Sequence, residues 1–246
     1  MKKKFIASCS FGKDSLAAIL LRMEHNESLD EVVYCRIMFN SKISAEFPEH
    51  ENWIHNHAIP LLKNKYGLNT AIVQSDYTYV DYFFRVRQRG KFVGNIVGFP
   101  MMLGAWCNDR LKLNPIRKWQ KQAGDYVAIV GIAADEARRI ERKTVNGTVL
   151  PLVQYGVTEA GAFEICRSYG LVSPAYGCGR VRLGCWFCPK QRVGELRRLC
   201  FDYPLLWGEL LRLDRCSSVS FTSKKTVRDF DKKFRREEKE CLLNYV

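Results

Sequence analysis

No run in this 246-residue chain reaches the ~18–20 apolar residues needed to span a bilayer, so no membrane partner is expected. The opening Met1-Lys2-Lys3-Lys4-Phe5-Ile6-Ala7 imitates the start of a signal peptide. Ser10, Gly12, Lys13 and Asp14 break its apolar run at once, and a cytoplasmic location is expected. The Walker spacing G-x-x-x-x-G-K-[ST] is missing, which argues against an ordinary kinase or GTPase phosphate loop. Histidine is scarce: there are four, all between positions 25 and 57. His50, His55 and His57 are read as solvated helix positions in preference to a metal site. There is no internal repeat, and no linker long enough to mark an independent second domain.

What the chain does have is positive charge and cysteine. The net charge of +13 suits a polyanionic partner, nucleic acid or several phosphates, as well as a merely basic surface. Ten cysteines in a cytosolic chain point to metal or redox work before disulfides. The stretch Tyr77–Phe92 interleaves Tyr79, Tyr82, Phe83, Phe84 and Phe92 with Arg85, Arg87, Arg89 and Lys91. Basic groups beside stacking rings suit single-stranded nucleic acid or a flipped base; an amphipathic helix with its aromatics in the core suits the pattern equally.

The stretch Ser8-Cys9-Ser10-Phe11-Gly12-Lys13-Asp14-Ser15 organises the rest. An apolar run from Lys4 to Ala7 precedes it, and the helix-like Leu16–Leu21 follows. Strand, Ser/Gly turn and helix start form a setting in which backbone N–H groups gather around an anion. Gly12 allows close approach, Lys13 adds charge, and Ser10 and Ser15 offer hydroxyls; a plain Ser/Asp helix cap has the same composition. Further strands are expected over Glu31–Phe39, Thr70–Gln74 and Tyr126–Ile132. Helices are expected up to Tyr66, over Asn114–Ala123 and from Thr158 to before Gly170, with Gly67, Gly124 and Gly170 as stops. This alternation predicts an α/β fold: an open, mostly parallel sheet with helices on both faces. The expected division is a domain over 1–190 and a C-terminal helical extension over 191–246. In the extension, helix-like stretches at Arg192–Cys200 and Leu205–Asp214 lead to a charged Lys224–Glu240.

Ser-x-Gly-Lys-Asp-Ser resembles the PP-loop of the adenine-nucleotide alpha-hydrolase superfamily, with Phe11 where the family usually has a first glycine. Within that superfamily, four further blocks resemble the phosphoadenylyl-sulfate (PAPS) reductase family in family order. They are Glu46-Phe47-Pro48-Glu49, Cys107-x-x-Arg110-x-Lys112-x-x-Pro115, Gly131 through Glu136 to Arg139, and Leu150 through Tyr176-Gly177. Ala133 replaces a family arginine there, a role Arg138 or Arg139 would cover. The resemblance implies an adenine-nucleotide alpha-hydrolase-like fold with an ATP or sulfonucleotide site built from Ser8, Ser10, Phe11, Gly12, Lys13, Asp14, Ser15, Arg110, Lys112, Gly131 and Arg139. Asp14, Lys13 and Glu136 are the implied catalytic groups, and Asp14 would help organise Mg2+.

Cys185-x-x-Cys188-Pro189, with Cys178 seven residues upstream, has metal-knuckle spacing, and Cys107 supplies a distant fourth thiolate. The resemblance implies a [4Fe–4S] cluster on Cys107, Cys178, Cys185 and Cys188. Zinc held by the same four cysteines is the alternative, since soft thiolates suit both. Three functions follow. The favoured one is an ATP-dependent adenylylating enzyme that transfers sulfur to RNA or DNA with a sulfur-donor protein as partner. The second is a sulfonucleotide reductase, but the chain ends Glu240-Cys241-Leu242-Leu243 without the family's Gly and His. The third is a nucleic-acid-binding module with a degenerate nucleotide site.

Overall fold

A computed structural model describes residues 3–101, 104–143, 147–177, 179–180 and 182–243. In chain order the elements are β1 (Lys4–Cys9), α1 (Lys13–Glu24), β2 (Glu31–Arg36), α2 (Pro48–Trp53), α3 (Ile59–Tyr66), β3 (Thr70–Gln74) and α4 (Tyr79–Phe84). After them come α5 (Asn114–Gln122), β4 (Tyr126–Val130), α6 (Ala137–Lys143), β5 (Thr148–Val149), α7 (Pro151–Gln154) and α8 (Glu159–Ser168). The last three are α9 (Val193–Asp202), α10 (Pro204–Cys216) and α11 (Val227–Leu243).

Contacts group these elements into two compact units, each assembled from three stretches. The first takes residues 1–36, 46–75 and 112–183, and the second takes 37–45, 76–111 and 184–246. The C-terminal helices share their unit with two earlier segments, whose aromatic residues need covering.

The first unit holds a five-stranded sheet of order β3-β2-β1-β4-β5, parallel at every pairing. Side-chain alternation splits its strands between two cores. Ala7, Cys9, Val32, Tyr34 and Ile129 pack with α1, α3, α7 and α8, whereas Ile6, Val33 and Cys35 pack with Ile116 and Trp119 of α5. Helices thus cover both faces, as a parallel sheet requires. The strand order reverses beside β1, since β2 and β3 lie on one side of it and β4 and β5 on the other. Open sheets bind ligands at such a switch point, outside the carboxyl ends of the strands.

The helical stretch ending at Tyr66 is interrupted by a wider π turn at Ile54–Ala58. Pro60, which has no N–H to continue the ladder, follows directly. Gly67 closes the stretch in the left-handed conformation (φ 67°). Of the histidines read as solvated helix positions, His57 is exposed, whereas His50 is buried and corrects that reading. His50 is 1% exposed and bonds Ser173 Oγ at 2.8 Å, and His57 Nε2 donates to the Gly170 carbonyl at 3.0 Å.

In the second unit, α9, α10 and α11 bury Leu196, Leu199, Trp207, Leu210, Leu213, Phe230 and Phe234. The buried Asp214 caps α11, accepting from the Val227 amide at 2.9 Å and from Arg228 Nε at 2.8 Å. Tyr79 and Phe83 of α4 are core residues, each 0% exposed. That helix stops at Phe84, so Arg85, Arg87 and Arg89 lie outside it. Among the described residues no helix is long and apolar enough to cross a membrane.

Candidate functional site

The loop after β1 turns through Phe11, whose φ of 56° is a left-handed conformation unusual for a ring-bearing residue. Where a glycine would adopt this turn freely, Phe11 meets its cost by burial, 0% exposed, edge-on to Tyr34 at 5.2 Å between centroids. The ring belongs to the core and does not line the cleft. Gly12 is the N-cap of α1, and Ser15 Oγ fixes the turn by donating to the Gly12 carbonyl at 2.9 Å. The same oxygen accepts from the Ser10 amide at 3.2 Å. Opening helix N–H groups have no intrahelical partner, and here the Lys13 amide donates to the Tyr176 hydroxyl at 3.0 Å.

β4 ends at Val130, and Gly131 directly beyond it lies against this loop. A Cβ at Gly131 would overlap the Asp14 carbonyl group and the Ser15 Cα, so only glycine lets the chain leaving β4 approach the first turn of α1 this closely. Beyond it, Glu136 accepts from the Ala133 amide at 3.2 Å and pairs with Arg139 at 2.6 Å. Lys13 Nζ lies 2.6 Å from Asp14 Oδ1 and 3.2 Å from Glu159 Oε2, and its side chain is only 10% exposed. Asp135 holds the start of α8 by accepting from the Glu159 amide at 3.1 Å. Burial raises the Asp14 carboxyl above its usual range, with Lys13 opposing. Burial likewise pushes the Tyr176 phenol up to about 12, so it stays a neutral donor and acceptor.

These groups line a cleft of about 220 Å3. Of the residues expected from sequence, it brings together Ser10, Gly12, Lys13, Asp14, Ser15, Lys112, Gly131, Glu136 and Arg139. Ser8 does not line it; this residue sits within β1, paired with Val33 and Val130. Arg110 does not line it either, and lies 3.7 Å from Asp109. Four lining residues lie outside the expected set: Leu183, and the polar Glu159, Tyr176 and Arg182. Glu159 and Tyr176 stood in resembling blocks with no stated role, and Arg182 lay inside a loop read only for its cysteines. The cleft opposes four cations, Lys13, Lys112, Arg139 and Arg182, to three carboxylates, Asp14, Glu136 and Glu159. Such a mixture suits an anion of several charges together with a cation between it and the carboxylates.

The second unit holds the cysteine knuckle. The Cys188 amide donates to the Cys185 carbonyl at 3.0 Å, and Gln191 Nε2 donates to the Trp186 carbonyl at 2.6 Å. Trp186 and Phe187 are buried against Phe39, and Trp186 Nε1 donates to the Ser44 carbonyl at 2.8 Å. Cys107, Cys185 and Cys188 all act on the buried Tyr79 hydroxyl, which is raised by burial first and then by these three sulfurs. Burial, then Cys188, pushes the Cys107 thiol up to about 11. Among the described residues no three metal-binding side chains stand close enough to hold an ion. Cys178 lies outside the described residues. Cys107, Cys185 and Cys188 thus all bear electrostatically on one tyrosine without forming a group that could hold an ion.

Fold and site together define the class: an open parallel α/β sheet with a charged cleft over the carboxyl ends of β1 and β4. No family model matches the chain. It is 22% identical over 218 residues, 84% of its length, to an uncharacterized protein of Methanocaldococcus jannaschii. It is 30% identical over 109 residues, 43% of its length, to an uncharacterized nin region protein of Escherichia phage lambda. The chain spans 40% and 36% of those relatives' lengths. Among solved structures it is similar to PAPS reductase from Candida auris in a phosphate complex, with 14% identity and a TM-score of 0.48, covering 76% of this chain and 83% of that one.

Proposed function

We propose that this chain is a PP-loop ATP pyrophosphatase that adenylylates an acceptor on the way to sulfur transfer into a nucleic acid. The observation that carries the reading is the cleft itself. A serine- and glycine-lined loop opens α1 at the switch point of the sheet, with four cations and three carboxylates around it. Ser10, Gly12, Lys13 and Ser15 would hold the phosphates, with Lys112, Arg139 and Arg182 neutralising charge as pyrophosphate leaves. Asp14, Glu136 and Glu159 would hold Mg2+, whose chemistry there is to offset charge between carboxylate and phosphate. Tyr176 keeps the loop in shape through the Lys13 amide. Cys107, Cys178, Cys185 and Cys188 would hold a [4Fe–4S] cluster, or zinc in its place, and the cluster would supply an all-thiolate redox centre.

The test is pyrophosphate release from ATP with Mg2+ in the presence of RNA or DNA and a sulfur source. Asp14→Ala and Ser15→Ala should each lower it by roughly 10²–10³-fold while leaving thermal unfolding cooperative. Full activity in both variants would sink the reading. The sulfonucleotide reductase alternative has its own observation, an exposed Cys241 next to Glu240 in the last turn of α11. Consumption of a sulfonucleotide dependent on Cys241, without pyrophosphate release, would select it.

A further inference from the structure

The residues after α4 form a device that the cleft does not use. The Val97 amide donates to the Arg85 carbonyl at 2.8 Å, the Arg87 amide to Asn95 at 2.9 Å, and the Gly94 amide back to Arg87 at 3.1 Å. Together with the antiparallel bridge between Val86 and Ile96, these bonds make 85–97 a hairpin. Gly90 and Gly94 turn its tip with φ of 86° and 84°. Arg85 and Arg89 are exposed, while Arg87 is half-buried and donates to the Val97 carbonyl at 2.8 Å. The hairpin contains four cations and no carboxylate. At the tip Phe92 is 52% exposed, with the Arg87 guanidinium 5.7 Å and the Lys91 ammonium 6.0 Å from its ring centroid.

The base, in contrast, is fixed. The Gly98 amide donates to the Phe83 carbonyl, Trp106 Nε1 donates to the Gly98 carbonyl, and the buried Phe99 packs edge-on against Phe83 and Phe221. An exposed ring flanked by cations on an anchored arm has no value to a folded core. It offers a stacking face and phosphate contacts already in position.

We infer that the 85–97 hairpin is a docking arm for single-stranded nucleic acid, with an unpaired base stacked on Phe92 and the backbone phosphates on Arg89 and Lys91. This rests on the proposed nucleic-acid acceptor and names the element that grips it. Stacking requires an open base face, so an unpaired strand is favoured over a duplex. The test is fluorescence anisotropy on the full chain with labelled oligo(dT) and oligo(U) of about 16 nucleotides, and a duplex of the same length. Phe92→Ala should weaken single-strand binding by roughly 5- to 100-fold and leave duplex binding unchanged. The double variant Arg89→Gln/Lys91→Gln should lower the slope of log affinity against log salt by about 1.4. Phe92, Arg89 and Lys91 are solvent-exposed, so the variants should fold, and unchanged ATP binding in each would show it. An unaltered slope, no effect of Phe92→Ala, or binding of anionic lipid vesicles in preference to both oligonucleotides would overturn the inference. Comparison of oligo(dT) with oligo(U) tells whether DNA or RNA is gripped, and weak binding of both would also overturn it. Loss of pyrophosphate release with intact oligonucleotide binding would instead count against the reaction and not against the arm.

Discussion

Lys13 stands between Asp14 and Glu159, and every cation of the cleft has a carboxylate in the same space, so the site depends on small distances. Gly131 sets the smallest of them. Gly131→Ala would push the end of β4 off the first turn of α1, and overpacking of this kind costs about 1–3 kcal/mol. Nucleotide binding should fall further than the urea midpoint suggests, because the displaced atoms are those of Asp14 and Ser15; an alanine variant that binds ATP normally would show that the approach is dispensable. A second pair of residues sets a pH dependence. Burial lifts the Glu46 carboxyl from 4.5 to about 7, so its contribution to stability is complete below pH 4.5 and is lost as pH rises through 7. His50, its Nε2 4.0 Å from Glu46, is held down from 6.5 to about 4 by burial; its contribution is complete above 6.5 and is lost as pH falls through 4. The two oppose each other between these limits, and above pH 7 the charged Glu46 stands alone as a cost. Glu46→Gln should therefore raise the urea midpoint above pH 7, with the gain fading towards pH 4.5. A gain of the same size at both ends would refute the assignment. Neither residue's burial was legible in sequence, since His50 falls among polar neighbours that resemble a solvated helix.

At the level of elements, the knuckle around Cys185 and Cys188 is held by buried Trp186 and Phe187 and by Gln191, so it is shaped by packing as well as by its sulfurs. Anaerobically purified protein should be brown and carry about four irons. Cys185→Ala should remove the colour without unfolding the unit, because the tryptophan and glutamine contacts remain. Colourless anaerobic protein with one tight zinc would replace the cluster by a structural site. The spacing of Cys185 and Cys188 was plain in the sequence; that Cys107 shares their unit was not, because a separation of almost eighty residues leaves no periodic trace. β1, β2, β3, β4, α5 and α8 were legible for the opposite reason, as each carries its own apolar pattern and its own glycine or proline punctuation. The two-residue β5 was too short for a pattern. The stretch from Tyr79 to Phe92 misled because its aromatics serve two elements, with Tyr79 and Phe83 in the core and Phe92 at a hairpin tip.

For the molecule as a whole, the parallel sheet followed from the alternation of strands and helices, and the loop at Ser10–Ser15 from its local composition. The partition into units did not, because sequence order hides it: each unit draws on three stretches that alternate along the chain. That interleaving bears on how the protein is made. On a ribosome, residues 37–45 and 76–111 emerge long before 184–243, which complete their unit. Phe39, Tyr79, Phe83 and Phe99, all buried in the finished fold, must wait uncovered while the rest of the sheet is translated. Contacts so distant in sequence close slowly, and waiting aromatic surface invites association with other nascent chains. The vulnerable period in the life of this protein is its synthesis, and its yield in a cell should depend on translation speed and chaperone supply more than on the stability of the folded state.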